Sequence, residues 1–236
     1  MQNPSWKMTG ESDCLLCPMR QLSIFAGLTI EDLSPLGMVV EDIHLPAGAT
    51  LYRQGENARY AFTLRSGAMK LSVHRRHQDE NRIVRLLRYG DLLGFEGLNQ
   101  ARLHYQHTAT ALDASDLCLL DLTALNRLSE DRPKVRQALI GRWQSALEEA
   151  EFQLVEIGAG KAEACVAAFL CHWCRVFPDG AWVPFPIERK ELADYLGFSA
   201  AHVSRVMADF KRNGYVKESG KRINIQYIPL RRIAGA

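Results

Sequence analysis

No stretch of the sequence approaches the roughly 18–20 consecutive apolar residues that a membrane-spanning helix requires, and the first residues lack the positive start and apolar core of a secretory signal. A cytoplasmic protein with no membrane partner is expected. Cysteine is sparse, six in 236 residues. In a reducing compartment six thiols do not read as a disulfide framework, which leaves metal binding, redox chemistry and plain burial open. The chain also lacks a strong charge of either sign, with a formal net charge of only +2, so composition over the whole chain gives no sign of a nucleic-acid partner. With 47% hydrophobic and 24% charged residues it is neither disordered nor collagen-like, and its length suits one large domain or two modest ones.

What charge there is lies unevenly. Residues 161–236 hold twelve Lys and Arg against seven Asp and Glu, a net +5, while residues 1–160 hold seventeen against twenty, a net −3. A small basic module behind a slightly acidic body predicts a phosphate-binding end and a sensor or catalytic body. From Ile43 to Leu122, short runs such as Ala61-Phe62-Thr63-Leu64 and Met69-Lys70-Leu71-Ser72-Val73 are punctuated by Gly48, Gly55, Gly67, Gly90, Gly94 and Gly97, which predicts a β-sandwich or barrel. Pro133 then opens a segment in which Ile140, Trp143, Leu147, Ala150, Leu154 and Ile157 recur in steps of three and four, with Glu148, Glu149 and Glu151 off the seam. A helix lying on its own β domain would carry a wider apolar stripe. The narrow heptad seam instead predicts a parallel helix pair between two copies of the chain. Gly158-Ala159-Gly160 ends this helix and supplies a hinge.

Beyond the hinge, residues 188–212 read as helix, turn, helix. Glu188 to Tyr195 forms a short helix, Gly197 takes the left-handed conformation at its end, and Ser199 caps a second helix from Ala200 to about Arg212. Leu192, Leu196, Phe198, Val203 and Val206 are apolar where two crossed helices must meet, and Ala193 is small where they come closest. Alanine, glycine four residues later and a β-branched residue six after that make a fairly specific helix-turn-helix signature. The second helix is then expected in the major groove, with Ser199, Ala200, Ala201, His202, Ser204 and Arg205 at its N-terminal side and Lys211 further along. Arg205 has two readings that the sequence does not separate, a bidentate guanine contact and a phosphate clamp. Tyr215-Val216-Lys217 and Arg222-Ile223-Asn224-Ile225 flank Ser219-Gly220 as a β-hairpin wing, in which Lys217, Lys221 and Arg222 are candidate phosphate contacts.

A β-rich body, a long seam helix, a hinge and a winged helix-turn-helix together resemble the Crp/Fnr superfamily of bacterial transcription regulators. The resemblance is strongest at Leu64-Arg65-Ser66-Gly67, Gly90-Asp91-Leu92-Leu93-Gly94-Phe95 and Ala193 to Arg205. It implies an α+β fold with a cysteine-containing tail (1–25), a cyclic-nucleotide-binding-like β-roll sensor domain (26–124), a dimerisation helix (125–158) and a winged helix-turn-helix DNA-binding domain (161–236). It also implies a homodimer on a pseudo-palindromic double-stranded DNA operator, with RNA polymerase as a further partner. Cyclic-AMP binders of the superfamily carry an Arg-Ser or Arg-Thr pair, and a glutamate for the ribose. Ala101-Arg102-Leu103-His104-Tyr105 offers no such pair, so cyclic AMP is not expected.

The text is closer to the Fnr branch, whose oxygen sensors hold a [4Fe–4S] cluster. Cys14 and Cys17 match that branch's Cys-x2-Cys and Cys118 its distant ligand, whereas its third N-terminal cysteine falls on Ser23. Four thiolates are the usual requirement. Three thiolates with an oxygen ligand such as Ser23 or Asp13, or a cluster with an open iron site, would be more labile. The expected signal is oxygen or redox state, the alternative being nitric oxide, a haem ligand or another small effector without a cluster. Cys165 is expected in the core of a helix ahead of the helix-turn-helix, with Cys171 and Cys174 either at a domain contact or forming a redox pair. An enzymatic role for Cys14 and Cys17 would need a βαβ setting that the flanking sequence lacks.

Overall fold

The computed structural model describes residues 7–11, 24–26, 29, 40–74, 81–98, 104–157 and 160–235, and the chain divides into two units, Met1–Ala146 and Leu147–Ala236. In the first unit the alternating runs become antiparallel strands. β1 (Lys7–Glu11), β2 (Glu41–Leu45), β9 (Ser115–Asp121), β4 (Tyr60–Ser66) and β7 (Leu92–Leu93) form one sheet in that spatial order. β3 (Thr50–Tyr52), β8 (Thr108–Ala111), β5 (Ala68–His74) and β6 (Asn81–Arg88) form another. The tight link between β4 and β5 needs glycine, since Gly67 has φ +84° and an added Cβ would lie 2.3 Å from the Ser115 hydroxyl oxygen.

Strand periodicity gives the larger sheet two buried faces. Leu117 and Leu119 of β9 join Ile43, Phe62, Leu64, Leu71 and Leu87 in one core. Leu120 belongs to another, with Ile24, Phe25, Leu125, Leu128, Val135 and Leu139, and half-buried Cys118 packs against it. That second core exists because α1 (Leu122–Asp131) follows β9 directly, capped by an Asp121 oxygen that accepts from the Ala124 amide at 3.0 Å.

Where the family resemblance implies one dimerisation helix over 125–158, the structure has three pieces, the longest of them opening at Pro133 as the sequence reading has it. Arg132 is extended because the residue before a proline is driven out of the α region, and α2 (Pro133–Phe152) starts afresh with proline in its first turn. Gln153–Ile157 then form a π turn. Val135 and Leu139 are the buried residues of α2, while Ile140, Trp143, Leu147 and Leu154 are 58%, 47%, 60% and 76% exposed, and Ala150 is exposed as well. Ile157 departs from the expected seam: it is buried at 6%. A π turn closes through i→i+5 bonds, so each residue turns through a smaller angle and the heptad register slips before Ile157.

In the second unit, α3 (Ala162–Cys174) is buried over nearly its whole surface. Cys165 is in the core as expected, its Sγ donating to the Ile157 carbonyl at 3.4 Å. Cys171 and Cys174 are buried too, because α6 (Tyr227–Ala234) lies on α3 and the Tyr227 hydroxyl donates to the Cys171 carbonyl at 2.8 Å. Burial pushes the Cys171 thiol up to about 11, which leaves it protonated and a poor nucleophile at neutral pH.

Candidate nucleic-acid interface

Two short helices and a hairpin compose the basic surface. α4 (Arg189–Leu196) is preceded by Glu188, whose amide donates to the Glu191 carboxylate at 3.1 Å, one half of a capping box. It stops at Gly197, which has φ +77°, a conformation that side-chain-bearing residues rarely adopt. The Gly197 and Phe198 amides both close onto the Ala193 carbonyl, at 2.8 and 3.0 Å. Ser199 then opens α5 (Ala200–Arg212), its hydroxyl accepting from the His202 amide at 3.2 Å. Val203, Val206, Met207 and Phe210 bury one face of α5 against Leu192, Ala193 and Leu196 of α4 and the rest of the unit's core.

Helical periodicity turns the opposite face outward. Ser199, Ala200, Ala201, His202, Ser204, Arg205 and Lys211 are all exposed. Small residues at the start of α5 leave room for close approach, and Arg205 is the long donor one turn further along. The His202 ring meets the Phe198 ring edge to face, with centroids 5.7 Å apart. Among the described residues Arg205 has no hydrogen-bond or ion-pair partner, whereas Lys211 Nζ lies 3.1 Å from a Glu218 oxygen and Arg212 pairs with Asp209.

The wing is a three-stranded antiparallel sheet in the order β10 (Val183–Pro184), β12 (Arg222–Ile225), β11 (Val216–Ser219). Ser219 pairs with Arg222, so Gly220 and Lys221 make a two-residue turn, with glycine at a position of φ +56°. Lys217 and Lys221 are exposed on it. Arg222 is turned elsewhere, Nη2 donating to the Trp182 carbonyl at 2.8 Å. The Asn224 amide ties the strand to Gly180 and Ala181 carbonyls.

Two acidic residues organise this unit, and sequence reading found neither in that role. Glu218 accepts from both Arg189 and Lys211. Burial raises its pKa, but the two cations more than offset this and hold the carboxyl below the usual range. Glu149 takes a hydrogen bond from the Tyr195 hydroxyl at 3.2 Å and lies 2.6 Å from His172 Nε2, while Phe152 stacks on the His172 ring with centroids 4.1 Å apart. Its carboxyl is pushed up by burial and brought below the usual range by those partners. The end of α2 is thereby fastened to α3 and α4.

Residues 166–229 match the Crp-like helix-turn-helix domain, and residues 42–132 match the cyclic nucleotide-binding domain. The chain belongs to the Crp/Fnr family. Over 218 residues it is 26% identical to the fumarate and nitrate reduction regulatory protein of Escherichia coli K12, covering 90% of this chain and 86% of that one. With the transcriptional activator protein anr of Pseudomonas aeruginosa it shares 27% identity over 220 residues, 91% and 89% of the two chains. The solved structure of FixK2 from Bradyrhizobium japonicum has the same fold, with a TM-score of 0.76 at 22% identity, covering 84% of this chain and 98% of that one. This Crp/Fnr-family chain is a transcription regulator with a helix-turn-helix domain, not an enzyme, and no helix among its described residues is long and apolar enough to cross a membrane.

The interior of the first domain holds a cluster of aromatic rings. The Tyr52 and Tyr105 rings stack with centroids 3.8 Å apart, Phe62 lies 5.9 Å beyond Tyr52, and the Tyr105 hydroxyl donates to the Tyr60 carbonyl at 2.8 Å. Tyr105 is further held by both backbone groups, its amide donating to Glu56 and its carbonyl accepting from Gly55, each at 2.9 Å. Aromatic side chains fill the space between the sheets.

On the opposite face of the larger sheet Cys118 lies between Asp42 of β2 and Thr63 of β4 in register. Cys14, Cys17 and Ser23 lie outside the described residues, and those described include no group of three His, Cys, Asp or Glu that could hold a metal ion. The chain enters the core that Cys118 abuts at Ile24 and Phe25, directly after Ser23.

Proposed function

We propose that this Crp/Fnr-family regulator acts as a homodimer, reads a pseudo-palindromic operator with two copies of α5, and answers to oxygen or redox state through a cysteine-held cluster. The observation that carries the reading is the division of α5: four apolar residues bury one face, while Ser199 to Arg205 leave a small-residue entry and one long, unpaired guanidinium on the other. Such a helix fits the major groove, and two copies would address half-sites about 34 Å apart. Lys217 and Lys221 would meet phosphates from the wing. The exposed seam of Ile140, Trp143, Leu147, Ala150 and Leu154 supports the dimer, since exposed apolar side chains in a row mark a contact surface. RNA polymerase is the remaining partner in this reading.

For the sensor, Cys14 and Cys17 with Cys118 are the proposed ligands. Cys118 is half-buried on the face where Ile24 and Phe25 return the chain to the sheet, and a [4Fe–4S] cluster bound there would supply oxygen-sensitive redox chemistry. A second reading, a small polar effector in the β-roll, has one observation behind it. The Tyr52 hydroxyl and one Glu96 oxygen are buried there without a hydrogen-bond partner among the described residues, and such groups normally find one.

A gel shift at two salt concentrations, with duplexes selected from a random pool, tests the DNA reading. A steep salt slope and an enriched palindromic sequence are expected. Equal binding of all duplexes would remove the operator.

A further inference from the structure

The wing places an acidic residue within a basic surface. Glu218 stands on β11 beside exposed Lys217, yet its own side chain is only 18% exposed. Each of its oxygens is taken by a cation from a different element. Arg189 Nη2 binds Oε1 and Lys211 Nζ lies 3.1 Å from Oε2. Arg189 is the first residue of α4 and Lys211 belongs to the last turn of α5, so one carboxylate joins the first helix, the recognition helix and the wing.

A lysine or arginine that neutralises a phosphate raises affinity on every sequence, because it releases a condensed counterion. A cation already matched to a carboxylate has less to offer. Moving it to a phosphate would also leave a mostly buried carboxylate short of a partner, which is costly. The same tie sets the distance between α5, whose face meets base edges, and the wing, whose lysines meet the backbone.

We propose that Glu218 is a positioning residue for DNA reading: it withholds Arg189 and Lys211 from the phosphates and fixes the wing against α5, so that base contacts rather than indiscriminate charge govern affinity. The proposal rests on the DNA-binding reading above. It also reassigns Lys211, which the sequence pattern had put on DNA.

The test uses the full chain and the variant Glu218→Gln, titrated between about 50 and 200 mM salt against a random-sequence duplex and the duplex enriched by selection. The variant is expected to hold the random duplex more tightly, to steepen the slope of log K against log salt by about 1–2 as cations are released to phosphates, and to lower the preference for the selected duplex. An unchanged slope, or parallel weakening on both duplexes, would make Glu218 a structural residue only and overturn the proposal. Should that variant not fold, Lys211→Met decides the matter. Its slope should equal that of the unsubstituted protein, and a slope shallower by about 1 would make Lys211 a phosphate contact. Absence of salt-dependent binding in the unsubstituted protein would sink the DNA reading and this proposal together, whereas normal binding with an unresponsive Glu218→Gln, or with a shallower slope for Lys211→Met, sinks the proposal alone.

Discussion

Arg205 carries more of the proposed specificity than any other side chain of α5. Its neighbours toward the N-terminus are alanine, histidine and serine, and none of them offers a planar, two-pronged donor matched to the guanine edge. Replacing it with alanine is expected to weaken binding to the selected duplex by about 1–3 kcal/mol and to relax one guanine position. Binding curves on duplexes substituted at each base pair would show this, and an equal loss on every sequence would make Arg205 a backbone contact instead. The position of Arg205 was legible because it depends only on local features: a cap at Ser199, a left-handed glycine and helical periodicity. Glu218 and Glu149 were not legible, since their partners lie elsewhere in the chain. Glu218 meets Arg189 and Lys211, and Glu149 meets His172 and Tyr195. In the sequence both look like ordinary solvated carboxylates.

At the scale of elements, α2 has two apolar sets with different fates. Val135 and Leu139 are covered by the unit's own core, while the set beginning with Ile140 stays exposed. Steps of three and four were enough to pick out that second set. The slip at Ile157 was not readable, because a π turn obeys the same local propensities as the α turns before it. Trp143 is a poor residue with which to test the seam, as its ring also packs edge-on against Phe95 with centroids 4.8 Å apart. Leu147, at 60% exposure, is the better choice. A charge there would be buried without a partner in a helix pair, an unfavourable arrangement, but would remain solvated in a single chain. Leu147→Asp is therefore expected to yield monomers by analytical ultracentrifugation. A dimer of undiminished affinity would show that α2 does not form the contact.

At the scale of the whole molecule, a nearly neutral chain carries its excess of basic residues beyond residue 160, and the cysteines fall on both sides of that point. Cys165, Cys171 and Cys174 are all buried within the second unit, which leaves Cys14, Cys17 and Cys118 as the thiols available to a sensor in the first. Three thiolates are one short of the usual cubane set, and the shortfall falls at Ser23. If an oxygen ligand or an open iron site completes the cluster there, that corner is its weak point toward air. Protein prepared without oxygen should carry iron, acid-labile sulfide and a broad visible absorption. The variant Ser23→Cys would complete a four-thiolate set, and is expected to retain more iron and sulfide per chain than the unsubstituted protein after the same exposure to air. Cys118→Ser should reduce both under anaerobic conditions. If the unsubstituted protein contains neither iron nor sulfide when prepared without oxygen, the cluster reading is wrong, and the buried Tyr52 hydroxyl and Glu96 carboxylate in the β-roll become the place to seek the signal.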